Sequence, residues 1–400
     1  MNLSGQSLIL IAAGAASLAS LALADELDLP AGRALFERQW IQAPASVDSA
    51  DGLGPLFNAS ACNSCHKGGG AARFTDIDGV LGAGGLVVRL GDEHGRPDPY
   101  YGRQLQEGAV AGLAAEARIF PHLDPADTAG LMRMAAKIDL NGPLLAQGTH
   151  IELRATPSLS GRVLLERVSP DAVLALADPD DRDHDGISGR ARLINGELGR
   201  FGLKATARSI HEQVADAAAF DIGLSSPERP FAFGDCTPLE KECLRMASGR
   251  SAGMDGEEIS SEMVSLIAAY VASLKVPPQH QAEPPQVFSD AGCGACHVPT
   301  LRAENGERLP VYTDLLLHDL GGGLAGGFGD DFATASEWRT APLIDLDPKG
   351  GRRRYLHDGR AGSIEEAIRW HGGEAEAAKR RFEAVGPDEK AALIAFVRLL

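Results

Sequence analysis

The chain has 400 residues, enough for two or three domains with sizeable cores. Aromatic residues make up only 5% and there are 47 glycines, which indicates many loops and a core filled in part by something other than side chains. The formal net charge of −17 argues against nucleic acid or an anionic membrane surface as a partner, because both select basic surfaces.

Residues 1–24 carry no charge and contain the apolar run SLILIAAGAASLASLALA, which ends in Ala-Leu-Ala. This pattern is typical of a signal peptide with a small-x-small cleavage site before Asp25. We therefore predict export to the periplasm and no membrane span in the mature chain. An uncleaved amino-terminal anchor stays open as the alternative, because no basic residue precedes the run. In an exported chain, the cysteines belong to an oxidising compartment.

The stretch ACNSCHKGG places Cys62, Cys65 and His66 in a C-x-x-C-H motif, the attachment signature of a c-type haem. The spacing follows from the chemistry. Two thiols on one turn add to the two vinyl groups of the haem, and the adjacent histidine ligates the iron.

The acidic stretch DRDHDGISGR places Asp181, Asp183 and Asp185 at alternating positions before a turn at Gly186. Alternating carboxylates offer oxygen ligands to a hard cation, and we predict a Ca²⁺ site here. A full twelve-residue calcium loop would end in glutamate, where this chain has Arg192. The alternative is an acidic turn stabilised by Asx hydrogen bonds.

A different cysteine pair, Cys236 and Cys243, lies in GDCTPLEKECL. No histidine follows it and its spacing is too wide for haem attachment. We predict a structural disulfide, which would add about 2.5 kcal/mol to the free energy of unfolding by the chain-entropy model. A catalytic dithiol is the alternative.

The stretch SEMVSLIAAYVASL (261–274) has helical periodicity, and the proline-rich stretch after it marks a domain boundary. The stretch GCGACHVPT then repeats the C-x-x-C-H motif with Cys293, Cys296 and His297. One motif alone is ambiguous between haem, zinc and a redox dithiol. Two in an exported chain predict two covalently bound c-type haems.

A phenylalanine precedes each motif by a few residues, and DEKAALIAFVRLL reads as a final helix of the kind that closes cytochrome c domains. We therefore predict a mainly α fold with two cytochrome c-like haem domains. The predicted divisions are a signal peptide at 1–24, an amino-terminal haem domain at 25–275 with a loop-rich insertion at about 150–250, and a carboxy-terminal haem domain at 276–400.

Near the carboxy terminus, SIEEAIRWHGGEA predicts a short helix that Ser363 and Glu366 cap and a glycine pair ends. Ile364, Ile368 and His371 fall on one buried stripe of this helix. From these residues alone, the His371 ring is either hydrogen-bonded to a carbonyl or a metal ligand.

Seven runs of the chain carry a family resemblance: DPYYGRQLQ, DPDDRDHDGISGR, GRFGLKA, VYTDLLLHDLG, EWRTAPL, LHDGR and EEAIRWHGGEA. Together they resemble the bacterial di-haem oxidoreductases, a family whose members are described as peroxidases or thiol oxidoreductases. The resemblance runs from about residue 54 to the carboxy terminus, with a break around the Cys236 to Cys243 loop. It is more distant to the di-haem cytochrome c peroxidases and to the di-haem enzyme that matures the quinone cofactor of methylamine dehydrogenase.

In the peroxidase relatives, the second haem takes its sixth ligand from a helix shortly after the HDG turn, which here contains His357. The matching position is at or near His371, where the relatives have methionine or tyrosine. The resemblance thus implies a low-spin haem ligated by His297 and His371. Such a haem has a lower reduction potential than a methionine-ligated one.

Peroxide reduction also needs a haem that can open, and a group that moves a proton between the two peroxide oxygens. The relatives place a glutamine and a glutamate beside the peroxide. The resemblance carries these roles to Gln104 and Glu116, with Glu107 as the alternative glutamate. Each of them could instead be an ordinary surface or hydrogen-bonded residue. His94 could instead ligate the iron of the first haem and thereby block the position that peroxide would need.

Three further side chains take expected supporting roles. His318 in LHDLG and His357 in LHDGR are expected to donate hydrogen bonds to a propionate or a proximal histidine. Trp338 in EWRTAPL is either an electron relay between the haems or a core residue.

Motifs and resemblance together predict a periplasmic di-haem c-type cytochrome oxidoreductase of peroxidase type. Electrons from a small redox protein would enter at the carboxy-terminal haem and pass to the amino-terminal haem, where hydrogen peroxide is reduced. The alternatives are an electron-transfer cytochrome without a substrate, an oxidase of a partner protein, and a thiol oxidoreductase that uses Cys236 and Cys243.

Overall fold

The computed structural model of the chain describes residues 27–47, 49–77, 80–127, 130–276, 282–346 and 353–400. The predicted signal peptide lies outside these residues, as does much of the proline-rich stretch that we predict to be a domain boundary. Across the described ranges, no helix has the length and apolar character needed to cross a membrane.

Ten α-helices occur in the described part of the chain. They are α1 (Asp28–Glu37), α2 (Cys62–Cys65), α3 (Arg162–Arg167), α4 (Pro170–Leu174), α5 (Ile210–Ala217), α6 (Ser261–Ser273), α7 (Gln286–Asp290), α8 (Ile364–Trp370), α9 (Glu376–Ala384) and α10 (Pro387–Leu399). The helices α6 and α10 confirm the two that periodicity predicts.

The helix α8 also forms where the sequence predicts it. The Oγ of Ser363 accepts a hydrogen bond of 3.0 Å from the backbone N–H of Glu366, as expected of an N-cap residue. The Glu366 carboxylate returns to the backbone N–H of Gly362, at 2.7 Å, rather than to Ser363. Because α8 ends at Trp370, His371 is the residue that terminates the helix and has extended backbone angles.

Fifteen short strands accompany the helices in the same ranges, and all pair antiparallel. They are β1 (Leu56–Phe57), β2 (Arg73–Ile77), β3 (Val80–Gly84), β4 (Leu86–Gly91), β5 (Gln104–Leu105), β6 (Gly108–Ala109), β7 (Ala117–Pro125), β8 (Met132–Leu140), β9 (His150–Ala155), β10 (Leu193–Ile194), β11 (Glu197–Leu198), β12 (Thr300–Arg302), β13 (Arg308–Pro310), β14 (Leu317–Asp319) and β15 (Glu337–Arg339).

The prediction of a mainly α fold is wrong. The protein is 28% helix and 20% strand, with the strands in several small antiparallel sheets. Most of the strand residues lie between 73 and 155, in the hairpins β2–β3 and β7–β8 and the sheet β5–β4–β9. In β4, Val88 and Leu90 are buried while Val87 and Arg89 are more exposed. This alternation with a period of two favours a strand over a helix.

The largest core cluster joins helices and loops from distant parts of the chain. It includes Leu35 of α1, Leu165 of α3, Ile267 of α6, and Leu301 and Leu316 from the region after the second C-x-x-C-H motif. This core therefore combines residues from both sides of position 275. The predicted division at 25–275 and 276–400, with an insertion at about 150–250, stays a prediction.

A short segment before α3 connects the surroundings of the two motifs. The backbone N–H of Leu159 donates a 2.8 Å hydrogen bond to the carbonyl of Gly69, three residues after the first motif. The Ser158 hydroxyl donates to the carboxylate of Asp345 at 2.7 Å. The residues that follow the first motif are thereby held against the carboxy-terminal part of the fold.

We expect Leu165→Ala to lower the free energy of unfolding by about 2–5 kcal/mol, because Leu165 is fully buried and its truncation leaves a cavity in the largest core cluster. Urea unfolding of the purified protein, followed by far-ultraviolet circular dichroism, measures the loss. The matched control is Leu144→Ala, since Leu144 is 88% exposed. Similar losses for both variants would contradict the assigned core.

Candidate functional site

The second C-x-x-C-H motif follows α7 and begins in a tight turn. Gly292 has a φ of +82° and precedes a short 3-10 turn that begins at Cys293. Cys296 and His297 follow directly after this turn. Cys293 and Cys296 are half-buried thiols without a disulfide partner. Burial raises the pKa of the Cys293 thiol to about 11, so this sulfur stays uncharged. An apolar, uncharged sulfur environment is the one that a thioether to haem also requires.

His297 and His371 have the same arrangement of ring nitrogens. The Nδ1 of His297 lies 3.2 Å from the Tyr312 carbonyl oxygen, and the Nδ1 of His371 lies 2.7 Å from the Ala367 carbonyl oxygen. Each Nδ1 therefore carries the proton and donates it to a carbonyl, which leaves Nε2 as the nitrogen that can ligate a metal.

The His371 ring is also close enough to His297 to affect its ionisation. Burial lowers the pKa of His297 to about 4, and the charge that His371 can carry lowers it further. Burial likewise lowers the pKa of His371. Both imidazoles are thus neutral at pH 7, the form that binds iron. The structure confirms the hydrogen bond from His371 to a carbonyl, which leaves Nε2 for a metal, and the ligand role of His371 stays a prediction.

His318 lies beside this motif and has two carboxylate partners. Its Nε2 is 2.8 Å from the Asp314 carboxylate and its Nδ1 is 2.7 Å from the Glu374 carboxylate. Burial opposes a charge on the ring, but hydrogen bonds to Asp314, Cys296 and Glu374 raise the pKa of His318 to about 12. Ligand atoms of Cys296, Asp314 and His318 lie within 4.8 Å of one another. A thioether at Cys296 would leave Asp314 and His318 as an ion pair beside the haem edge.

The first motif forms α2 and lies between two core clusters, both of which Cys62 contacts. Burial raises the pKa of Cys62 to about 12 and that of Cys65 to about 11, and the nearby Asp221 carboxylate raises both. The pKa of His66 falls to about 4, mainly through burial, and the charge of Arg162 contributes. The Nδ1 of His66 is buried without an aligned hydrogen-bond partner.

Gln104 belongs to a polar cluster next to the first motif. Its side-chain amide donates hydrogen bonds to the Phe220 carbonyl (2.7 Å) and the Asp221 carboxylate (2.9 Å). Its side-chain carbonyl oxygen accepts a hydrogen bond of 3.2 Å from the Arg89 guanidinium. Burial raises the pKa of Asp221 and lowers that of Arg89 to about 10. Because Asp221 also raises the pKa of Cys62 and Cys65, this cluster lies next to the cysteines of the first motif.

The two glutamates that the resemblance selected lie elsewhere. Glu116 is buried and accepts a 2.6 Å hydrogen bond from the backbone N–H of Gln106, and burial together with the Glu240 carboxylate raises its pKa. Glu107 is at the surface, where it accepts 2.8 Å from the backbone of Ile119. Of the three predicted catalytic residues, the structure thus connects Gln104 to the first motif most directly. The catalytic roles of all three stay predictions.

Sequence reasoning missed Asp221 and Arg89. Each is the single charged residue in an apolar run, AAFDI for Asp221 and LVVRLG for Arg89. A charge in such a run must be satisfied inside the protein, so this pattern was the signal that could have identified both.

Cys236 and Cys243 are joined, which confirms the predicted disulfide. The carboxylate of Asp235, directly before the bridge, accepts hydrogen bonds from the backbone N–H groups of Arg103 (2.5 Å) and Gln104 (3.0 Å). The disulfide therefore supports the strand that carries Gln104.

The remaining metal candidates are on the surface. Carboxylate oxygens of Asp181, Asp183 and Asp185 lie within 4.8 Å of one another. Asx-type hydrogen bonds also occur in this turn, for example 2.8 Å from the backbone of Ile187 to Asp185, so calcium binding stays a prediction. His94 lies on an exposed turn with 56% of its side chain accessible, and its role as a haem ligand is likewise still a prediction.

Trp338 and His357 stack, with ring centroids 4.1 Å apart and an interplanar angle of 14°. Trp338 is paired with His318 across β14 and β15, which links it to the second motif. The backbone carbonyl of His357 accepts a hydrogen bond of 2.7 Å from the backbone N–H of Ala155. Ala155 is close to the segment that is hydrogen-bonded to Gly69, next to the first motif. The stack therefore lies between segments that contact the two motifs.

A family model described as "Di-haem oxidoreductase, putative peroxidase" matches residues 2–95 and 129–400. A comparison with curated proteins and one with solved structures each gave no match. The matched ranges contain both C-x-x-C-H motifs and His371. The three predicted catalytic residues, Gln104, Glu107 and Glu116, fall in the unmatched stretch 96–128, so the match adds no support to their roles.

We expect Glu116→Gln to flatten the dependence of stability on pH. Burial and the Glu240 carboxylate raise the pKa of Glu116 in the folded chain, so the folded state keeps a proton that the unfolded chain releases near pH 4.5. Stability therefore falls as pH rises above about 4.5, by up to about 1.4 kcal/mol per pH unit.

Urea unfolding between pH 5 and pH 9 measures this slope. Glu116→Gln should be less sensitive to pH than the parent protein and relatively more stable at the alkaline end. The matched control is Glu242→Gln, an exposed glutamate of the disulfide loop. A slope that Glu116→Gln leaves unchanged would show that Glu116 is already ionised in the folded state.

Proposed function

Because the chain belongs to the di-haem oxidoreductase family, we propose that it is a periplasmic c-type cytochrome that reduces hydrogen peroxide. The donor set fits two c-type haems, since two pairs of thiols without a disulfide each precede a neutral histidine. The amino-terminal haem would be held by Cys62, Cys65 and His66. The carboxy-terminal haem would be held by Cys293, Cys296, His297 and His371.

The observation that carries the proposal is the difference between the two proximal histidines. The ionisation of His297 is shifted by a second histidine, His371, whose Nε2 is available. The groups with the largest effect on the pKa of His66 are its own burial, Gly70, Arg162 and Pro157, and in the described part of the chain none of these is a histidine. This difference supports electron transfer at the carboxy-terminal motif, where two histidines would hold the haem iron, and reaction with the oxidant at the amino-terminal motif, where His66 alone would hold it.

Reduction of hydrogen peroxide consumes two electrons and two protons and yields two water molecules. Bound haem would supply the iron and the electrons for this reduction. The polar cluster beside Cys62 has the groups for the proton steps. The Asp221 carboxyl has a raised pKa and can hold a proton, and the Gln104 amide positions it through a hydrogen bond of 2.9 Å, while the Arg89 guanidinium supplies donors that can orient a polar oxidant.

We propose that a small redox protein donates electrons at the carboxy-terminal haem and that Trp338 and His357 lie on the route between the haems. The net charge of −17 favours a donor with a basic face. The disulfide between Cys236 and Cys243 supports export, because such bonds persist in oxidising compartments. Use of this pair as a catalytic dithiol has less support, since Cys243 is only 1% exposed.

Absorption and electron paramagnetic resonance spectra test this proposal in the oxidised, half-reduced and fully reduced protein, before and after addition of peroxide. We expect one low-spin haem in all states and one haem that reacts with peroxide in at least one of them. Two low-spin haems that stay inert to peroxide in every state would contradict peroxidase activity and favour an electron-transfer cytochrome. An oxidised product that decays only with a partner protein would favour the oxidase alternative.

We expect His371→Ala to convert one low-spin haem to high-spin, because the carboxy-terminal haem loses its sixth ligand. The absorption and paramagnetic resonance spectra of the oxidised variant report the change. His122→Ala, at an exposed histidine on β7, is the control and should leave the spectrum unchanged. A low-spin spectrum retained in His371→Ala would contradict the ligand assignment. A spin change in His94→Ala would instead assign His94 as the ligand of the amino-terminal haem.

A further inference from the structure

Among the described residues, Arg339 is a buried cation without a carboxylate at ion-pair distance. It is 8% exposed, and it donates hydrogen bonds to two backbone carbonyls, 3.1 Å to Gly202 and 2.8 Å to Thr340. In the described part of the chain, no carboxylate forms an ion pair with it. Burial lowers the pKa of Arg339 to about 10, which reflects the unfavourable environment of its charge.

Arg162 is a second such cation. It is half-buried, and its Nε donates a hydrogen bond of 2.9 Å to the Ser158 carbonyl oxygen. The same oxygen also accepts a hydrogen bond from Nη2 of Arg162. Across the described ranges it has no carboxylate within ion-pair distance. Burial lowers the pKa of Arg162 to about 9, and the charges of Arg339 and Arg353 lower it further. The positive charges of these arginines therefore lie near one another. The carboxylate of Asp345 is the negative charge that raises the pKa of Arg162.

The two arginines lie in segments that contact the two C-x-x-C-H motifs. The backbone directly before α3, which begins at Arg162, donates a hydrogen bond of 2.8 Å to the carbonyl of Gly69, next to the first motif. Arg339 lies on β15, whose partner strand β14 contains His318, beside Cys296 of the second motif. Because the charge of Arg339 also lowers the pKa of Arg162, the two guanidinium groups lie near each other between the motifs.

Clustered guanidinium groups that lack ion-pair partners are costly, because desolvation and mutual repulsion both oppose them. The planar fork of a guanidinium matches a carboxylate, which can accept two parallel hydrogen bonds. Each haem brings two propionate carboxylates. We propose that Arg162 and Arg339 bind haem propionates, with Arg162 shared between the two haems and Arg339 contacting those of the carboxy-terminal haem.

This inference rests on the two haems of the proposed function and not on peroxide reduction, so the two can fail separately. A cation near a haem favours the reduced state, which carries one negative charge more than the oxidised state. A shared Arg162 therefore raises both reduction potentials. Arg339 raises that of the carboxy-terminal haem.

Spectroelectrochemical titration of the holoprotein measures both potentials, and the low-spin spectrum identifies the carboxy-terminal haem. For Arg162→Gln, we expect the reduction equilibrium of each haem to become about tenfold less favourable, which is about 59 mV for a one-electron couple. For Arg339→Gln, we expect a comparable shift at the carboxy-terminal haem alone. Arg162→Lys keeps the charge and should restore most of the potential.

The matched control is Arg33→Gln, at an exposed arginine of α1, which should leave both potentials unchanged. Haem content per chain is measured for every variant. Potentials that Arg162→Gln leaves unchanged at full haem content would overturn the proposal. If Arg162→Gln does not fold, Arg339→Gln decides, because equal shifts at both haems, or none, would overturn the assignment. Parent potentials that depend on phosphate or sulfate concentration would show that a free anion, and not the propionates, occupies the site.

Discussion

Positive charge held inside the protein is the constraint on which both haem sites depend. Arg89, Arg162 and Arg339 are each removed at least in part from water, and each must be satisfied by groups that the fold supplies. Backbone carbonyls of Ser158 and Thr340 provide part of this stabilisation. Carbonyls inside regular helices and sheets are already used, so these acceptors come from irregular segments.

The same use of irregular backbone explains how His297 and His371, the two proposed haem ligands, are oriented. The carbonyl that fixes His297 belongs to Tyr312, in a loop with a positive φ at that residue, and the carbonyl that fixes His371 lies in the last turn of α8. Helix ends and loops have carbonyls without a helical or sheet partner. A protein that holds two large cofactors with side chains and backbone acceptors thus requires many loops, which agrees with its high glycine content.

Local sequence patterns predicted the features that depend on local structure. The two C-x-x-C-H motifs, the helices α6 and α10 and the cap at Ser363 each need only a few neighbouring residues. The pairing of β4 with β9 brings together segments about sixty residues apart in the chain, so the local sequence of β4 does not predict that β9 is its partner. The pairing of Glu116 with Glu240 depends on a similar long-range approach. For that reason the sequence could not show that Glu116 lies beside a second buried acid.

The turn after α8 has a consequence for electron transfer. Two glycines separate His371 from Glu374, whose carboxylate binds His318 and the hydroxyl of Ser188. A Cβ on Gly373 would lie only 2.2 Å from the Asp319 carbonyl oxygen, so this turn is tightly packed. The Glu374 ion pair and this packing thus hold the turn that carries His371 in place. As the proposed axial ligand, His371 would keep the same coordination in both oxidation states, and the small reorganisation energy would favour fast electron exchange.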